Sequence, residues 1–205
     1  MFGTLRTMIH RAIGSRRRGR LGLGMGAEMA YDERKFTELL LYVAKRLEDD
    51  PEGGAVKVNK ALWWAETACV RMYGRPITGA KYQKLKHGPA PRALLPVRNG
   101  LIERGEAALA EGWYRGYRQD RLVPKREPDL SVLSKEEIEI ADQVIETIRG
   151  RTAAELSAES HTEMGWRIVA VGENIPMSTA YLADDVTVTP AMTEHAKRLA
   201  ERLGL

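Results

Sequence analysis

The stretch from Tyr73 to Arg92, YGRPITGAKYQKLKHGPAPR, interrupts a mainly helical pattern with two rigid turns, Gly74–Pro76 and His87–Pro91. Glycine supplies backbone freedom and proline fixes φ, so each cluster specifies a defined reversal rather than a loose linker. Arg75, Lys81, Lys84, Lys86 and Arg92 stand around those turns, with Tyr73 and Tyr82 among them. A stiff, basic, aromatic-bearing loop flanked by helices has the composition of a docking surface. The same residues would equally serve as a solvated connection between two helices.

The flanking segments carry a helical period. Asp32 is an N-cap for a helix to about Glu48, with Phe36, Leu39, Leu40, Val43 and Leu47 on one stripe. A second helix spans about Val56 to Met72 on Val58, Leu62, Ala65, Cys69 and Met72. Adjacent Trp63 and Trp64 cannot share one helix face, so one is expected in the core and the other on a second surface, either packed between helices or as an interface anchor. Pro91 fits the first turn of a third helix, and Pro96 should bend or shorten its start. From about Glu106 to Lys125, aromatic and β-branched residues alternate with charges, a hairpin reversing near Gln119-Asp120. Capping boxes at Ser134/Glu137 and Thr152/Glu155 open two more helices, the second ending near Ser160. His161 to Val171 makes a short helix or turn, NIPMSTAY is irregular, and a last helix starts at Thr189-Pro190 and stops at Gly204. The expected fold is mainly α, a single compact helical domain over residues 31–205 with one small antiparallel β-hairpin.

A chain of 205 residues with 43% hydrophobic residues can bury one good core. The net charge of +4 is unevenly spread. Residues 1–28 hold six arginines and one acid, so they carry +5 and the remainder −1. Within that remainder, Arg71 to Arg104 carries +7 and Glu127 to Glu163 carries −7. Segregation of this size steers an oppositely charged partner, or lets two faces of the fold satisfy each other. Residues 1–30 read as a disordered basic leader, most of which a true start at Met25 or Met29 would leave out. Its Arg-rich, acid-poor start is also open to a transit-peptide reading or to non-specific phosphate binding. The glycines Gly22, Gly24 and Gly26 do not make a nucleotide loop, because no apolar strand precedes them and no Lys-Ser/Thr follows. No apolar run approaches the roughly 20 residues of a membrane span, and a lone Cys69 excludes an internal disulfide. Both fit a cytoplasmic protein.

Catalytic signals are sparse. His10, His87, His161 and His195 are dispersed, and only Glu159 near His161 offers a second metal ligand, so no metal or other cofactor is expected. Cys69 lies on an apolar helix face and reads as a buried, inert thiol. Glu136, Glu137 and Glu139 suit a helix N-terminus, where the dipole favours acids. The His87–Arg92 turn admits three roles. Gly88-Pro89 and Pro91 could set a reversal that Arg92 ties down through carbonyls. His87 and Arg92 could be polar anchors of an interface, or His87 a base without a partner.

Several segments in register resemble the Panacea domain, the SocA-like antitoxin family. Lys57, Asn59 and Lys60 open a helix, Gly74 to Tyr82 match G-R-x-I-T-G-x-x-Y, and His87 to Arg92 match (Y/H)-G-P-x-P-R. YDERKFTELLLYVAKR, LSKEEIEIADQVIE, SHTEMGW and NIPMSTAYL follow the family order, so the resemblance spans Tyr31 to Leu182. It implies a non-enzymatic antitoxin that neutralises a toxin protein encoded beside it through direct contact. It also implies an adaptor role, presenting bound toxin to an ATP-dependent protease. The residues it marks as motif or toxin-binding are Lys57, Lys60, Arg75, Thr78, Tyr82 and Lys84, then His87, Gly88, Pro89, Pro91 and Arg92. A DNA-binding autoregulator is a second class, opposed by a near-neutral folded part without a helix-turn-helix unit. An enzyme is a third, for which no catalytic constellation can be named.

Overall fold

In the computed structural model, residues 29–114 and 117–182 are described. Helix α1, Glu33–Arg46, starts where the Asp32 carboxylate accepts from Lys35 N at 2.9 Å. Its stripe of Phe36, Leu39, Leu40 and Val43 is buried, and so are Leu41 and Tyr42 on its other side. The helix is thus enclosed by more than one neighbour. Helix α2, Ala55–Tyr73, is the central strut, closed by Gly74 at φ +73 with its N–H on Val70 O. Both Trp63 and Trp64 are buried, so the second indole packs inside the fold rather than anchoring an open interface. Helix α2 is enclosed by its neighbours along most of its length.

The segment expected as loop is instead a hairpin. Strand β1, Tyr82–Leu85, pairs antiparallel with β2, Gly88–Pro91, and Tyr82 lies opposite Pro91. A later strand, β5, Asn174–Ile175, adds to the other side of β1, giving the order β2-β1-β5. Pro91 therefore ends a strand rather than opening a helix. Helix α3, Leu94–Glu103, begins three residues later, which puts Pro96 in its first turn, where a missing N–H is harmless. The expected bend has no cause.

Strands β3, Ala107–Tyr114, and β4, Tyr117–Pro124, form the hairpin foreseen from alternation. Its register sets Tyr114 against Tyr117 and Glu111 against Asp120, so the reversal precedes Gln119-Asp120, which lie inside β4. The described fold thus has two antiparallel sheets rather than one hairpin. After a short 3-10 turn at Leu130–Val132 comes helix α4, Lys135–Ile148, opened by the complete Ser134/Glu137 capping box. Helix α5, Ala153–Thr162, is opened by the Thr152/Glu155 box. Helix α6, Met164–Arg167, precedes the loop that leads into β5, and a 3-10 turn at Met177–Tyr181 follows that strand. The core joins α1, α2, α4 and α5 with Ile77, Tyr82 and Ile175. Among the described residues no helix is long and apolar enough to cross a membrane. The basic leader and the last helix expected near Thr189 lie outside the described residues.

Candidate functional site

Polar side chains in the buried face of α2 organise the sheet and loops around it. Lys57 is fully buried and donates to Asp50 Oδ2 at 2.8 Å. Burial alone would raise the Asp50 carboxyl, but Lys57 and the N–H groups of Glu52 and Gly150 outweigh it and hold it low. One turn on, Lys60 is also fully buried and donates to the His87 carbonyl. Burial pushes its ammonium down to about 8, against the opposing pull of Glu163. Ser157 Oγ donates to the same carbonyl at 3.1 Å. The backbone of His87 is thereby held from below while its imidazole stays exposed.

The hairpin above this pair is shaped by its glycine and prolines. Gly88 has φ +108, and a Cβ there would stand 2.0 Å from Lys60 Nζ. Arg92 N donates to Lys81 O at 2.9 Å. By alternation along an antiparallel pair, positions 90 and 88 point their N–H groups at β1 in the same way. Pro89 and Pro91 then fall where the nitrogen points away from the partner, on an edge strand that tolerates proline. The Arg92 side chain is exposed, yet it spans the sheet to Asn174 Oδ1 at 2.6 Å and to the Gly172 carbonyl.

The remaining motif residues divide in the same way. Glu66 is fully buried on α2 and accepts from Ile77 N at 2.6 Å, from Thr78 N and from Thr78 Oγ1. Burial pushes its carboxyl up to about 7 even though those donors lower it. Tyr82 packs on Trp63 with ring centroids 5.1 Å apart, and burial raises its phenol well above the usual value. Arg75 is half exposed and donates to Glu137 Oε1 at 2.7 Å. Burial would raise the Glu137 carboxyl, but Lys35, Arg75 and Ser134 N hold it low. Glu137 is thus a buried hub as well as a helix-start acid. Lys84 sits 4.1 Å over the Trp166 ring and donates to Val169 O at 2.9 Å. His161 stacks on that indole at 4.0 Å, and burial lowers its pKa, aided by Lys60, His87 and Lys84.

The arrangement brings Lys60, Lys84, His87, Gly88, Pro89, Pro91 and Arg92 together around the hairpin. Lys57 lies toward Asp50, and Arg75 and Thr78 toward the acids of α2 and α4. Sequence reasoning missed Glu66 and Glu163, the latter accepting from the indoles of Trp63 at 2.7 Å and Trp64 at 2.5 Å. Glu66 had a signal, being the one charged residue between Ala61 and Val70. Glu163 had none that a local pattern could reveal. The Cys69 thiol is fully buried and pushed up to about 12, first by burial. Among the described residues no group of three or more His, Cys, Asp or Glu is placed to hold a metal ion.

The family model described as antitoxin SocA-like, Panacea domain, matches residues 58–167. Lys57 stands one residue before that span, and the other motif residues lie inside it. No curated protein and no solved structure matches the chain.

Proposed function

The chain belongs to the SocA-like Panacea antitoxin family, and on that premise we propose that it neutralises a toxin protein encoded beside it by direct contact. The observation that carries this reading is a hairpin whose backbone is fixed from inside and whose tip is basic. Lys60 and Ser157 hold the His87 carbonyl, Arg92 ties the strands to the loop after α6, and Lys81, Lys86 and His87 are exposed. A surface organised before binding loses little entropy when a partner docks. In this reading Lys57, Lys60, Thr78, Tyr82, Gly88, Pro89 and Pro91 are the frame, because they are buried. The exposed groups, with Arg75 and Arg92 at the margin, are the contact.

The protein acts as a binder rather than a catalyst. A thiol near 12 is not a thiolate at neutral pH, and the His161 ring is stacked and half-buried. The test is co-expression with the product of the adjacent reading frame in cells, followed by co-purification. Growth rescue together with a stable complex of the two proteins supports direct neutralisation. Rescue that vanishes in a strain lacking ATP-dependent proteases makes the protein an adaptor. Rescue without any complex, through a repressed promoter, makes it a DNA-binding regulator.

A further inference from the structure

The ladder beside β1 runs on past β5. Lys84 N donates to Glu173 O at 3.0 Å, and Gly172 N donates to Lys84 O at 2.8 Å. Two residues of the incoming segment therefore oppose one residue of β1, a bulge that carries the pairing toward the hairpin tip. Beyond it the segment reverses in a turn, where Glu173 N donates to Ala170 O at 3.1 Å, with Val171 next to the Gly172 that bonds Lys84. Tyr82 and Lys84 turn inward, onto Trp63 and Trp166, so by alternation Leu85 turns outward. The segment between α6 and β5 is pinned there by Trp166 Nε1 on Leu85 O at 3.3 Å and by Lys84 Nζ on Val169 O.

This ordered strap and the tip expose large apolar side chains: Leu85 at 39%, Ile168 at 57% and Val171 at 71%. Their rim is cationic, with Lys86 next to Leu85 and Arg167 next to Ile168, both exposed. The strap's own acid, Glu173, has its carboxylate folded back onto Ala170 N at 2.7 Å. An apolar centre inside a charged rim is the anatomy of a protein interface, whereas phosphate binding needs only the cations. Ile168 and Val171 also lie past residues 58–167.

We propose that Leu85, Ile168 and Val171, rimmed by Lys86 and Arg167, form a contact surface for a protein partner that presents an apolar projection ringed by acidic side chains. The inference rests on the antitoxin reading, and the partner it describes is the toxin. The charge complementarity speeds encounter, and the apolar trio supplies the lifetime of the complex.

The probe is the purified product of the adjacent reading frame, titrated calorimetrically at low and high salt. Ile168→Asp/Val171→Asp should keep the wild-type melting temperature and bind roughly 30-fold more weakly or worse, the scale of losing interface anchors. Ile168→Ser/Val171→Ser, a milder pair, should weaken binding in the same direction if the aspartates lower the melt. Lys86→Glu/Arg167→Glu should weaken binding at low salt and flatten its salt dependence. Leu95→Asp, at an exposed apolar position on α3, should bind as wild type. Wild-type binding that both Ile168/Val171 pairs leave within about threefold overturns this surface while the antitoxin reading stands. If the wild type itself neither binds nor rescues, both readings fall together. Duplex DNA bound by the wild type and lost in Lys86→Glu/Arg167→Glu, with no protein binding, would make the rim a phosphate site and also overturn the proposal.

Discussion

Replacing Gly88 by alanine tests whether the hairpin is clamped by the buried Lys60 ammonium. At φ +108 a side chain is strained, at about 1–3 kcal/mol. The new Cβ would stand 2.0 Å from Lys60 Nζ and 2.4 Å from Ser160 Oγ. The ammonium is the end of a flexible chain, but Lys60 is fully buried and has nowhere solvated to go. It must leave the His87 carbonyl, and a hydrogen bond to a charged group is worth about 1.5–3 kcal/mol. Together the two effects cost about 2.5–6 kcal/mol, or roughly 5–24 °C in melting temperature for a domain of this size. Scanning calorimetry of Gly88→Ala against wild type measures this. His87→Ala is the control, because it removes an exposed ring, leaves the carbonyl in place, and should stay within about 0.5 kcal/mol. In a Lys60→Ala background the added cost of Gly88→Ala should shrink toward the strain alone. A Gly88→Ala melt within about 2 °C of wild type, or full additivity with Lys60→Ala, would refute the clamp.

Other positions yield checks of different kinds. The Glu66 carboxyl is raised on folding from 4.5 to about 7, so its contribution is full below 4.5 and lost as pH rises through about 7. Urea unfolding should therefore show the wild type losing up to about 3 kcal/mol relative to Glu66→Gln across that window, and parallel profiles would contradict it. Cys69, fully buried with its thiol near 12, should resist a thiol reagent at pH 7.5 in the native protein and react fully in denaturant. Rapid native labelling would show an open route to it. Lys84→Glu should destabilise by about 1–3 kcal/mol, because it puts a carboxylate over Trp166 and beside the Val169 carbonyl. Lys86→Glu, at an exposed position, should leave the melt unchanged, and equal effects at the two sites would sink this division of labour.

What the sequence determined by itself is the set of elements whose cause lies within one turn of chain. Asp32, Ser134 and Thr152 each satisfy the N–H three residues ahead, so α1, α4 and α5 begin where those residues stand. The apolar stripes of α1 and α4 are likewise local, and so is the alternation that marks β3 and β4. The motif around the Gly88 turn was also legible as a place where the chain must do something particular. Its structural meaning was not. GPAP has no strand alternation, and the partner that completes its sheet is Asn174–Ile175, far along the chain. Whether a lysine is a contact or a frame depends on what surrounds it. Lys60 and Lys86 are the same residue type in one basic region, yet one is sealed under a carbonyl and the other stands in water. Burying a charge is tolerable only with a partner supplied by packing, here Asp50 for Lys57 and His87 O for Lys60. Those partners come from separate elements that meet only in the folded chain, and so only the tertiary structure could decide them.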